Sequence, residues 1–209
     1  MRYALTLLAA FVPAAASAQT PAAPCELHVW PAERFQAMTS GILGGGLLDA
    51  AIHAEGDKAR RSHLASALDS EGQLATLQSM DLVSILQLTP GTVVVPHAEP
   101  LDRKTINKIK TRRAASQSSC YSELIVGDFF YQKSMVYGRS LRTFFFLRDF
   151  GSKQSDPAMY KSWGGNGLKI FPAKEGEDTT AADAELIDTF KFNFNEASRN
   201  IVRMRKTKA

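Results

Sequence analysis

Cys25 and Cys120 are the chain's two cysteines, they stand 95 positions apart, and both follow an export signature. Met1–Ala18 reads as a signal peptide. Arg2 supplies the positive start, Ala4–Val12 the short apolar core, and Ala16-Ser17-Ala18 an A-x-A cleavage site before Gln19. An exported chain matures where thiols oxidise, and each cysteine then has one intramolecular partner. A Cys25–Cys120 disulfide is therefore expected, the alternative being two buried free thiols. Such a bond would hold the mature N-terminus beside the middle of the chain. The chain-entropy model assigns a closure of this length about 4–5 kcal/mol.

Without Met1–Ala18 the chain retains about 190 residues, enough for one domain with a sizeable core. Hydrophobic residues make up 44% and charged residues 22%, a balance that excludes wholesale disorder. The expected organisation is a signal peptide over 1–18, a spacer over 19–24 and a single domain over 25–209. The basic end over 204–209 is expected to fray. Ala4–Val12 is too short to span a bilayer, and no other stretch approaches the roughly 20 apolar residues required. Cys25 follows Pro24 rather than a small residue closing an apolar core, so it does not read as a lipid-bearing cysteine. The implied address is periplasmic or secreted.

Cys25–Trp30 reads as a strand, with Leu27 and Val29 on one face and Glu26 and His28 on the other. Pro31 stops it. Glu33–Ala54 reads as a helix through Phe35, Met38, Ile42 and Leu48, closed by Gly56. Asp57–Leu68 and Glu71–Leu88 read as two further helices. Thr92–Val95 is a β-branched run with the look of a buried strand. Asp102–Ala114 reads as a basic amphipathic helix, and Cys120–Gln132 and Ser140–Phe150 as an antiparallel hairpin around Gly138. Gly164–Gly167 reads as a turn and Leu168–Phe171 as a short last strand. Ala181–Arg203 closes the chain as a helix, although Phe190, Phe192 and Phe194 also alternate like a strand. The expected fold is α/β, a mixed sheet packed by helices, with an N-terminal helical block between the first two strands.

His28, His53, His63 and His97 form no H-x-x-x-H or H-E-x-x-H pair, so neither a metal nor any other cofactor is implied. Oxidised cysteines disfavour thiolate chemistry. The chain contains no G-x-S-x-G, which lowers the odds of a serine hydrolase without excluding a triad assembled by the fold. Gly164–Gly167 lacks the Lys-Ser/Thr of a phosphate loop, and Trp163 reads as a packing residue rather than a sugar-stacking platform. No residue is assigned a catalytic role.

Two features are less generic. Gly41 and Gly45, with Ala37, would share one face of the first helix and offer a small-residue groove. That groove serves packing inside the domain, self-association or membrane contact. Between Asp102 and Glu123 there are six cations and no acid. On a helix, Arg103, Lys104, Lys108 and Arg112 would spread over the solvent side. Such a surface suits an anionic membrane, lipopolysaccharide or an acidic envelope protein; nucleic acid is a poor partner for an exported chain.

Thr92–Val95, the basic helix, Tyr121–Val126, Leu141–Arg148 and the closing helix together make an arrangement similar to the α/β envelope domains of the TolB N-terminal and curli-secretion lipoprotein type. The resemblance spans Thr92–Arg203 and lies in element order. It implies a non-catalytic periplasmic assembly module and assigns no site residues. Two readings follow: a binding module that contacts an envelope component through a basic surface, and an exported hydrolase whose site forms only in three dimensions.

Overall fold

The computed structural model describes residues 23–40, 47–173 and 176–207, and within the first helix the side chains from His53 onward. Strands β1 (Glu26–Trp30) and β2 (Arg34–Ser40) come first, followed by helices α1 (Leu47–Ala67), α2 (Ser70–Gln78) and α3 (Leu82–Ile85). Strand β3 (Val93–Pro96) precedes a long turn-rich segment. The meander β4 (Tyr121–Ser134), β5 (Gly138–Gly151) and β6 (Ala158–Leu168) leads to helix α4 (Thr180–Lys206).

The fold is a mixed α/β sheet ordered β3-β1-β4-β5-β6. Both β1 and β2 run parallel to β4, the first beside Tyr121–Ile125 and the second beside Asp128–Ser134. They act as one strand broken at Pro31. Gln73 of α2 mends the break: its fully buried amide accepts from the Ala32 N–H and donates to the Ala32 and Leu68 carbonyls. The helices pack on one face of the sheet, where Leu27, Val29, Leu124, Phe145 and Leu147 meet Leu64, Leu77, Phe190 and Phe194. At 25 cal/mol per Å² of apolar surface, this cluster is the main stabilising term.

Helix α4 sits unusually close to the sheet at Gly164. A Cβ there would lie 1.9 Å from the Asn193 carbonyl oxygen. Asn193 uses the closeness: its amide donates to the Leu141 carbonyl and the Thr143 hydroxyl and accepts from Asn166. Glu196 accepts the Gly165 N–H, and Glu185 accepts the N–H groups of Lys169, Ile170 and Phe171 just past β6.

The disulfide between Cys25 and Cys120 forms as expected, joining the starts of β1 and β4. The β4–β5 hairpin and the closing helix also form. Other expectations change. The helical block follows the first two strands instead of lying between them. Within the expected helix Glu33–Ala54, Arg34–Ser40 is strand β2, because Phe35 and Ala37 alternate toward the core opposite Phe129 and Tyr131. Gly56 lies inside α1, which takes up the expected helix Asp57–Leu68 as far as Ala67, while Glu71–Leu88 divides into α2 and α3. Val93–Pro96 is an edge strand with Val93 exposed, so it is not buried. Gly164–Gly167 is no turn but the interior of β6, and Leu168 is the last residue of that strand. Gly41 and Gly45 lie outside the described residues.

The largest correction is Asp102–Ala114. It forms turns over the sheet, with N–H bonds from Thr105 to Asp102 and from Lys108 to Thr105, then a bridge from Thr111 to Ser155. A helix would have pointed its arginines at water. The buried carboxylates Asp128 and Glu123 on the sheet below draw Arg103 and Arg113 inward, and backbone carbonyls hold Arg112.

Candidate functional site

The sheet face opposite the helices is built by strand alternation. Register places Glu26, His28 and Trp30 of β1 on it with Tyr121, Glu123 and Ile125 of β4. Beyond Val126 the phase of β4 shifts by one residue at Gly127, so Asp128 and Phe130 return to this same face. Gly127 sits under the Phe146 ring, where a Cβ would approach within 2.5 Å. Phe144, Phe146 and Arg148 of β5 and Lys161 and Trp163 of β6 complete the surface.

Half of this face is roofed by residues 97–118. Under the roof, Glu123 is fully buried and receives Arg148 at 2.7 Å, Arg113 at 2.9 Å, the Arg113 N–H and the Tyr121 hydroxyl. Burial pushes the Glu123 carboxyl upward, and the Arg113 and Tyr121 bonds oppose that push. Burial and the neighbouring Glu123 also drive Tyr121 far above an ordinary phenol, so its hydroxyl stays a donor. Arg148 spends its remaining reach on the Ile109 and Thr111 carbonyls, and Arg112 donates to four carbonyls of the roof and of the β5 end while stacking over Tyr121. These guanidiniums fasten the roof down.

Beside them His28 bonds His97 at 2.8 Å and Glu26 at 3.0 Å, and His97 stacks on Trp30 at 4.1 Å. Burial first, and then the His28 charge, hold His97 below the usual histidine value. The His28 hydrogen bond holds Glu26 below the usual carboxylate range. On the helical side, His63 pairs with Asp183 at 2.6 Å. The ring partners of His28, His63 and His97 are thus carboxylates and another imidazole. Among the described residues, no cluster of three His, Cys, Asp or Glu side chains suits a metal ion.

The other half of the face is open. Arg34 and Arg103 share Asp128, at 3.8 and 2.8 Å. Arg103 also lies over the rings of Phe144 and Phe146, and Lys161 over Phe146. Arg142 is exposed on the ring of Trp163, which stacks on Phe144 and is itself 40% exposed. With Asp128 matched by two arginines, Arg142 and Lys161 leave a positive excess beside exposed aromatic surface.

Of the cations expected to form one contact surface, Arg103 and Arg112 are thus committed to internal partners. Lys104 and Lys108 remain exposed on the roof. Sequence reasoning assigned Arg142 no role and read Trp163 as a packing residue, whereas the structure leaves Trp163 40% exposed. Their signal was alternation through β5 and β6, which the glycines of β6 disguised as a turn. A cavity of about 120 Å³ lies between the disulfide, Asp149 and Arg205. An open groove of about 590 Å³ runs between the end of β6 and α4. No described helix is long and apolar enough to cross a membrane.

No family model matches the chain, and no curated protein matches it. Two solved structures resemble it distantly. One is an uncharacterized protein, 14% identical over 88% of this chain and 94% of its own, with a TM-score of 0.28. The other is the hypothetical protein CT253 from Chlamydia trachomatis, 10% identical over 86% of this chain and 98% of its own, with a TM-score of 0.31. Likeness at that level carries no argument about function.

Proposed function

We propose that the chain is an exported, non-catalytic binding module that contacts an anionic glycan of the cell envelope through the open half of its sheet. One observation carries this reading: Arg142 lies exposed on the Trp163 ring, beside Phe144 and Lys161, on the half of the face that no described element covers. An exposed indole offers a flat apolar platform for the C–H face of a sugar. The guanidinium beside it suits a phosphate or carboxylate in bidentate geometry. Export rests on the Met1–Ala18 pattern. The resemblance to TolB-type envelope domains read from the sequence points to the same class, but it counted on a helix over Asp102–Ala114 where a roof of turns stands.

The test is binding of the oxidised protein to immobilised lipopolysaccharide and to neutral dextran across a salt series. Salt-sensitive retention on lipopolysaccharide alone is expected, with at least a tenfold loss in Arg142→Ser/Trp163→Ser. Equal retention by that variant sinks the reading. Lys104→Ser/Lys108→Ser should lose less, because those lysines stand on the roof without aromatic support.

A further inference from the structure

The β4–β5 hairpin ends in Met135-Val136-Tyr137, whose side chains are 68%, 80% and 89% exposed. No other described large apolar side chain is as exposed as any of these three, and none of the three packs into either core cluster. The described neighbouring strands reach only to the base of the tip. β2 is described as far as Ser40, opposite Ser134, and β6 ends opposite Arg139. Among the described residues, no strand runs alongside the tip.

It is also a formed turn. The Ser134 hydroxyl accepts the N–H groups of Val136 and Tyr137, and Gly138 closes the turn at a φ of 72°. Both N–H groups are satisfied locally, which removes a main cost of placing a backbone in an apolar medium.

Along the hairpin itself, charge near the tip has one sign. The sequence contains no acid between Asp128 and Asp149, whereas Lys133, Arg139 and Arg142 all lie there. Lys133 and Arg139 face each other directly across the ladder, an arrangement that destabilises a hairpin unless an anion joins it. Arg139 leans on the Lys169 and Ile170 carbonyls near Glu185, which offsets part of its charge. Lys133 and Lys169 remain exposed, with half-exposed Ile170 beside them.

We propose that this hairpin tip inserts into the surface of an anionic phospholipid bilayer. Met135 and Val136 enter the acyl boundary, Tyr137 sits at headgroup depth, and Lys133 with Lys169 contacts the lipid phosphates. The inference is independent of the sheet-face reading, because it uses other residues and another ligand.

The test is co-flotation of the oxidised protein with vesicles of mixed phosphatidylglycerol and phosphatidylcholine, and with vesicles of phosphatidylcholine alone. Binding to the anionic vesicles is expected, with at least a tenfold loss in Met135→Ser/Val136→Ser/Tyr137→Ser. These side chains touch no core, so thermal melting of that variant should match the parent. A Tyr137→Trp variant should gain quenching by brominated lipid that the parent lacks. Failure of the parent to float, or equal flotation of the triple variant, overturns the proposal. So does loss of envelope-protein capture by the triple variant without any vesicle binding, which would assign the tip to a protein partner. Loss of flotation in Arg142→Ser/Trp163→Ser with the triple variant unaffected also overturns it, and leaves the sheet face as the contact.

Discussion

Replacing Gly164 by alanine adds one methyl group where the backbone of α4 already stands. The new Cβ would meet the Asn193 carbonyl oxygen at 1.9 Å and its Cα at 2.5 Å. Ordinary contact requires the helix or the strand to withdraw by about 1.3 Å. Neither partner is a flexible side-chain tip that can swing aside. Overpacking of this kind costs about 1–3 kcal/mol. Withdrawal also stretches the Asn193 bonds to Leu141 and Thr143, now 2.9 and 3.1 Å, at a residue with no solvent exposure. A buried amide left short of partners costs about 1–3 kcal/mol more. The expected loss is therefore about 2–6 kcal/mol, or roughly 4–24 °C in Tm for a chain of this size. Urea unfolding followed by circular dichroism measures it. Gly165→Ala is the control: the three atoms nearest its Cβ all belong to the Arg142 side chain, the first at 3.2 Å, and it should change stability by less than about 1 kcal/mol. Equal midpoints for the two variants would refute the claim that close approach of α4 dictates the β6 glycines.

Arg148→Met removes one guanidinium from buried Glu123 and the donor from two roof carbonyls, and should cost about 3 kcal/mol or more. Amide exchange should then rise first across residues 105–114. Cys25→Ser/Cys120→Ser should lower unfolding free energy by up to about 4.7 kcal/mol at 25 °C, as read from denaturant midpoints. His97 binds its proton less readily folded than unfolded, through burial and the neighbouring His28. The unfolded chain thus takes up the extra proton, and His97's contribution to stability is lost as pH falls below about 6.5. Thermal melts at falling pH should show that slope, and His97→Gln should flatten it.

The readable parts of the sequence were those with one local answer. Leu27 and Val29 alternate against Glu26 and His28 and form a strand. Leu186, Phe190, Phe194 and Ile201 repeat at helical spacing and form α4. A lone cysteine pair gave one disulfide. The misreadings share a physical cause, since the deciding partner lay far away in sequence. Phe35 and Ala37 become a strand because β4 offers them a parallel edge nearly a hundred residues later. The β6 glycines look like a turn until α4 presses on them. Arg103 and Arg112 look like a solvent face until the Asp128 carboxylate and the roof carbonyls claim them. The site was least visible for the same reason, because Arg142 and Trp163 meet only through strand register.

The cysteine pair also sets an order of events. β1 lies between β3 and β4, and both arrive later in the chain. As the polypeptide emerges from ribosome or translocon, Cys25 must wait through the whole helical block and the roof for its partner. With two cysteines, one intramolecular bond is available and no shuffled isomer competes. Appearance of that bond therefore timestamps the delivery of β4 to β1, so a simple gel-shift assay of thiol trapping can follow assembly of the sheet centre during synthesis.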